Sequence, residues 1–296
     1  MFNGQQFCID YNIDYEVNRN GWLNINCPYC STDRKFHGGI NIYGGYFNCW
    51  KCGGKSLDYL IKTLLFVKTE EALSIIQDYD AQTQINQKLN KQEKKNTVSK
   101  INLIGSTLKK GHKKYLRSRG FDPEYLVDKY NITGTVKEPY DFKYRVIVPI
   151  YHNNKLISYQ GRDVTGKNSL RWNVLSPEES VMHYKYTFYG LQFTSKSQIA
   201  VVEGIADQWK MGDGFVCSFG TALTTKQIKL LLNYDKVFFL FDSEDYTQEK
   251  AKRYAKLLQS IKNIEVENID LELGKKDPGD LDRDEVKYIR RELGFV

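Results

Sequence analysis

Two cysteine pairs, Cys27-Pro28-Tyr29-Cys30 and Cys49-Trp50-Lys51-Cys52, stand eighteen residues apart. Each Cys-x-x-Cys turn presents two thiolates, and four thiolates complete the tetrahedron Zn²⁺ favours in a structural site. Gly53-Gly54 give the second turn backbone freedom. Between the pairs, Ile40-Asn41-Ile42-Tyr43 and Tyr46-Phe47 flank Gly44-Gly45 as the arms of a hairpin. A redox pair would use two of the four cysteines, so metal is the stronger reading. Cys8 and Cys217 fall outside the pattern and read as small buried residues. His37 reads as a surface histidine, because four thiolates already close the site. Tyr29, Tyr46 and Trp50 suit base stacking or a small core equally well.

A second group of residues is acidic. Val201-Val202-Glu203-Gly204 and Phe239-Leu240-Phe241-Asp242-Ser243-Glu244-Asp245 are apolar runs that end in carboxylates. In an open parallel sheet, residues just past the carboxyl ends of neighbouring strands converge on one crevice. Asp207, one helical turn after Glu203, can face the same crevice. Asp277 and Asp280, in Lys276-Asp277-Pro278-Gly279-Asp280, follow the last strand-like run and can close the group. One acid at a loop start needs no such account, since helix N-termini favour acids. Several in one crevice repel, and oxygen-ligated Mg²⁺ or Mn²⁺ relieves that repulsion.

The surrounding elements must deliver these groups. Strand-like runs at Ile199–Val202, Phe215–Phe219, Lys236–Phe241 and Glu265–Leu271 alternate with helical patterns at Thr224–Leu232 and Gln248–Ile261. That alternation predicts a parallel α/β sheet over 198–296. Residues 1–78 hold the cysteines and a helix around Leu57–Ile61; 79–100 are polar, basic and free of aromatics from Ala81 onward, which predicts a linker. In 101–197, a basic helix near Lys113-Tyr115-Leu116, a helix from Pro123, and strands at Arg145–Ile150 and Lys155–Gln160 predict a mixed α+β region. Gly161 to Asn168 approaches a phosphate-binding P-loop but lacks its Ser or Thr, and a turn at Thr165-Gly166 is expected instead.

Charge is uneven. The chain carries +7, yet residues 88–120 alone carry +10, which suits a polyanionic partner as well as a solvated linker. No apolar run approaches the ~18 residues of a membrane span, and Met1 to Gln6 lack a signal-peptide layout. A cytoplasmic location is expected.

Glu203-Gly204 with Asp207, then Asp242-Ser243-Glu244, then Lys276-Asp277-Pro278, resemble the three acidic motifs of the TOPRIM fold shared by DnaG-type primases and topoisomerases. The upstream order is similar to that of DnaG-type and phage zinc-ribbon primases: the cysteine ribbon, Tyr115-Leu116-Arg117-Ser118-Arg119-Gly120, Arg145 to Ile150, Gly161-Arg162, Ser176-Pro177-Glu178 and Tyr189-Gly190-Leu191. The resemblance covers nearly the whole chain. It implies primer synthesis from ribonucleoside triphosphates on single-stranded DNA in a bacterial or phage-infected cell. Zn²⁺ would sit on Cys27, Cys30, Cys49 and Cys52. Glu203 would act as base or metal-positioning group, and Asp207, Asp242, Glu244 and Asp277 would hold Mg²⁺ or Mn²⁺. Arg145, Arg162, Arg171 and Lys185 would meet nucleotide or template. The family's usual Asp-x-Asp stands here as Asp242-Ser243-Glu244 with Asp245 following, which leaves the second ligand open. With no P-loop, the helicase is expected to be a separate partner. The rival readings are a TOPRIM nuclease and a non-catalytic single-strand-binding protein of the same fold.

Overall fold

The computed structural model describes residues 2–18, 21–30, 36–79, 98–168, 170–195, 197–271 and 277–295. The N-terminal unit is an antiparallel sheet in sequential order: β1 (Tyr15–Val17), β2 (Trp22–Ile25), β3 (Gly38–Asn41), β4 (Tyr46–Cys49) and β5 (Gly53–Ser56). Strands β3 and β4 pair from Gly38↔Cys49 to Asn41↔Tyr46, which is the hairpin expected from sequence. Helix α1 (Gly4–Asp10) precedes the sheet; α2 (Leu57–Leu65) and α3 (Thr69–Asp78) follow it. Leu57, Leu60, Ile61 and Leu65 form one buried stripe on α2, at the spacing of an amphipathic helix. They close a core with Phe7, Ile25, Ile40 and Phe47.

The middle region holds α4 (Lys110–Ser118) and α5 (Pro123–Tyr130) beside an antiparallel sheet of β6 (Thr133–Gly134), β7 (Arg145–His152), β8 (Lys155–Asp163) and β9 (Trp172–Val174). Helix α5 starts where chemistry dictates. Pro123 takes the first helical position, and the Asp122 carboxylate accepts from the amides of Glu124 (2.9 Å) and Tyr125 (3.3 Å).

The last region is a parallel sheet in the order β11-β10-β12-β13, from β10 (Gln198–Val202), β11 (Phe215–Cys217), β12 (Lys236–Phe239) and β13 (Glu265–Asn268). Helices α6 (Ile205–Met211), α7 (Thr225–Leu231) and α8 (Asp245–Ile261) connect its strands, and α9 (Arg283–Glu292) ends it. On β10, Ile199 to Val202 are wholly buried, as a central parallel strand covered on both faces requires. Val201 pairs with Phe239, so the residues that follow β10 and β12 emerge side by side. No helix among the described residues is long and apolar enough to cross a membrane.

The N-terminal unit is docked on the other two regions, although most of the expected linker lies outside the described residues. Buried Asp10 accepts from Tyr79 Oη (2.7 Å) and Gln6 Nε2 (2.9 Å) of its own unit and from Tyr186 Oη (2.9 Å) across the boundary. Tyr184 Oη donates to Asp78 at 2.6 Å. Burial pushes the Asp78 carboxyl up to about 6, against the lowering effect of Tyr184 and of the Lys185 charge.

Asp10→Ala strands two tyrosyl hydroxyls at this boundary without their acceptor. It should cost roughly 1–3 kcal/mol, read as a lower urea midpoint, whereas Tyr59→Phe on the exposed face should leave the midpoint unchanged.

Candidate functional site

The carboxyl edge of the parallel sheet gathers the acids. The Asp242 amide donates to Glu203 Oε1 at 3.0 Å, locking the loop after β12 to the end of β10. The Gly204 amide donates to Asp207 Oδ2 at 2.8 Å, so this acid also caps the start of α6. The Asp280 amide donates to Asp277 Oδ1 at 3.0 Å, folding the turn of the third acidic segment. Two glycines make room. A Cβ at Gly204 would lie 2.8 Å from Asp207 Oδ2, and one at Gly279 would lie 2.8 Å from Asp207 Oδ1. Glu203-Gly204 and Asp277-Pro278-Gly279 thus pair an acid with a glycine because Asp207 packs between them.

Electrostatics in this crevice is repulsive. Burial raises Glu203 well above the carboxylate range, with Asp242, Glu71 and Asp207 adding to it. Burial and then Asp277 push Asp207 up to about 7. Burial and Asp277 likewise push Asp242 up to about 6. A hard divalent cation with oxygen ligands fits such a donor set. Among the described residues, the four cysteines are the one group of three or more possible ligands whose atoms all lie within 4.8 Å of one another. Glu244 differs from the rest. It is half exposed and ion-paired with Lys68 at 2.7 Å, and that contact lowers its carboxyl.

The basic residues divide. Arg162 Nε donates to Tyr115 Oη at 2.8 Å, and its guanidinium lies over the rings of Tyr115 (5.9 Å) and Trp172 (5.5 Å). It lines a groove with Tyr115, Arg119, Trp172, Gly204 and Trp209, of which Gly204 directly follows Glu203. Arg145 is not presented there. Only 1% exposed, it donates to the carbonyls of Gly161 (2.9 Å), Leu170 (3.0 Å) and Arg171 (3.3 Å). Its charge thus braces the segment that follows β8, which corrects the expectation of a ligand contact. Arg171 is exposed beside it. Lys185 is buried, 3.8 Å from Glu71 and 3.4 Å from Tyr11 Oη.

Sequence reasoning missed Lys68, Glu71 and Lys250. Buried Lys250 donates to Thr221 Oγ1 (2.9 Å) and to the Phe66 carbonyl (3.2 Å), and burial brings its ammonium down to about 8. A signal for it exists: Lys250 shares the buried stripe of α8 with Thr247, Ala251 and Leu258. Lys68 and Glu71 carry none, because their partners lie more than a hundred residues away.

At the N-terminal unit the Sγ atoms of Cys27 and Cys52 are 3.5 Å apart and those of Cys30 and Cys49 3.7 Å. Zinc–sulfur bonds of about 2.3 Å in a tetrahedron place sulfurs about 3.8 Å apart, so the set suits a structural zinc, whereas a disulfide needs about 2.0 Å. Burial opposes ionisation of Cys49, but bonds from the Cys52 and Lys51 amides outweigh it and bring the thiol down to about 7. His37 is buried rather than at the surface, and neither ring nitrogen has a partner among the described residues. Cys8 and Cys217 are buried, as expected. Trp50 is 86% exposed, while Tyr29 stacks on Tyr59 at 5.6 Å. The near-P-loop segment is the end of β8 and a turn in which Asp163 accepts from the Thr165 and Gly166 amides, with strand β9 following.

The crevice makes stability depend on pH. Asp207 and Asp242 hold protons in the folded chain at pH values where an unfolded chain has lost them, near ~3.9. The metal-free protein is therefore favoured at low pH and loses stability as pH rises through 6 and 7. Its melting temperature should fall from pH 5 to pH 7.5. Asp207→Asn should flatten that fall, and Mn²⁺ should raise the melting temperature at pH 7.5 more than at pH 5. A profile identical in Asp207→Asn would contradict the assignment.

Residues 200–282 match the Toprim-like family. A DNA primase of Clostridium acetobutylicum is 31% identical over 150 residues, which is 47% of this chain and 25% of the relative. The chain thus matches about a quarter of that curated relative's length. The zinc-binding and RNA polymerase domains of Aquifex aeolicus primase superpose with a TM-score of 0.54 at 19% identity, covering 96% of this chain and 80% of that one. The DnaG catalytic core superposes with a TM-score of 0.52 at 21% identity, covering 62% and 73%. The chain has the fold of a primase zinc-binding unit joined to an RNA polymerase domain, and its acidic crevice lies in the segment that matches the Toprim-like family.

Proposed function

We propose that the chain joins ribonucleotides into short RNA primers on a single-stranded DNA template. The observation that carries this is a groove walled by Arg119, Arg162 and aromatic rings that reaches Gly204, the residue directly after Glu203 of the acidic group. Acids alone would serve strand cleavage equally. An adjoining basic, ring-lined groove offers phosphate contacts and stacking faces for a nucleotide on its template.

Asp207, Asp242, Glu244 and Asp277 are the residues that would hold Mg²⁺ or Mn²⁺, which supplies charge stabilisation at the attacking and leaving oxygens of a phosphoryl displacement. Glu203, held by the Asp242 amide, would take a proton from a primer hydroxyl once bound cations restore its charge. Arg162, steadied by Tyr115 and Trp172, offers a fixed guanidinium to phosphate. Arg171 is exposed for a template contact, and Arg145 positions its backbone. Lys185 would meet nucleotide once Glu71 withdraws. The N-terminal unit, with zinc on its cysteines and Trp50 in solvent, is the template reader. The regions 1–78, 101–197 and 198–296 would then act as reader, nucleotide-binding half and catalytic half, with the replicative helicase a separate protein.

Full-length protein incubated with single-stranded DNA and labelled ribonucleotides should give short RNA only when Mg²⁺ or Mn²⁺ is present. Glu203→Gln and Asp242→Asn keep shape and remove charge. Each should lower the yield about 10²–10³-fold, the typical loss when one charge-stabilising group leaves a preorganised site, without loss of stability. Metal-dependent nicking of DNA without RNA product would favour the nuclease instead.

A further inference from the structure

The start of α3, which belongs to the N-terminal unit, sits on the rim of the acidic crevice with its charges in complementary places. Lys68 immediately precedes the helix and pairs with Glu244 at 2.7 Å. One turn on, the Glu71 carboxylate accepts from the Ala222 amide (3.2 Å) and Thr221 Oγ1 (3.3 Å) and faces Lys185 Nζ at 3.8 Å. Lys250 closes the same pocket through Thr221 Oγ1. The pocket is shaped for an anion. Gly220 adopts φ +104, a conformation glycine tolerates, and a Cβ there would lie 2.2 Å from Glu71 Oε1. A backbone amide, a hydroxyl and two buried ammonium groups are what a phosphate oxygen recruits.

We infer that the first turn of α3 is an internal mimic of metal and substrate. Lys68 holds the cation position on Glu244, and Glu71 holds the pocket of Lys185, Lys250, Thr221 and Ala222 that would otherwise take a phosphate group of a nucleoside triphosphate. Docking of the N-terminal unit and loading of the crevice are then competitive, and each weakens the other by the same factor. This rests on the crevice being where metal and nucleotide bind.

The test uses the full-length chain without template. Mn²⁺ binding is followed by electron paramagnetic resonance and ATP binding by calorimetry. Lys68→Ala should tighten Mn²⁺ by about two- to fivefold, the scale of a half-exposed ion pair, and Glu244→Gln should abolish that gain. Glu71→Gln should tighten ATP several-fold, and Lys250→Gln should weaken ATP while leaving Mn²⁺ binding intact. In the parental protein, Mn²⁺ with ATP should speed hydrogen exchange over residues 65–78 and at the Ala222 amide. Unchanged or weaker binding in Lys68→Ala and Glu71→Gln, or slower exchange on loading, would overturn the mimic. Mn²⁺ binding that ignores Glu203→Gln and Asp242→Asn would instead remove the site reading beneath it.

Discussion

Everything in this chain turns on the repulsion among carboxylates held at one end of a parallel sheet. Burial and mutual charge raise Glu203, Asp207 and Asp242 together, and two glycines let Asp207 approach the other acidic segments. A fold selected for stability alone would replace such a group with apolar or paired residues. The strain is local, and the rest of the parallel sheet is built to withstand it. β10 is apolar and buried from Ile199 to Val202, and β12 is buried from Val237 to Phe239. The acids therefore sit on a rigid edge, which keeps them from relaxing apart.

The N-terminal unit answers the same field from outside. Its α3 brings Lys68 to Glu244 and Glu71 to the lysines behind the crevice, while Asp10, Asp78 and four tyrosines, Tyr79, Tyr184, Tyr186 and Tyr11, fasten the boundary. Polar boundaries of this kind are satisfied when docked and readily rehydrated when apart, unlike an apolar seam. The contact between the N-terminal unit and the rest of the chain is thus held by polar groups that water can replace.

Much of this was legible in the residues. The Cys-x-x-Cys pairs, the apolar runs ending in Glu203 and Asp242, and the alternation after 198 carry local signals that the fold honours: the hairpin of β3 and β4, the helix from Pro123 and the four parallel strands. Strand ends ran short of expectation: Cys217 rather than Phe219, Phe239 rather than Phe241 and Asn268 rather than Leu271. What failed was side-chain direction. Arg145 reads as a strand-borne charge for a ligand, yet it turns inward to three carbonyls, and His37 turns inward as well. Nor could Lys68 or Glu71 be assigned, since their roles arise only when two regions far apart in sequence meet.

The central claim is that the crevice is a divalent-metal centre whose acids act together. A crystal of the full-length protein grown at pH 7.5 and soaked in Mn²⁺ tests it through anomalous scattering. Peaks bounded by Asp207, Asp242 and Asp277 and adjoining Glu203, lost in Asp242→Asn, are the predicted result. Anomalous signal confined to the cysteine site, with none at these acids, would contradict the account.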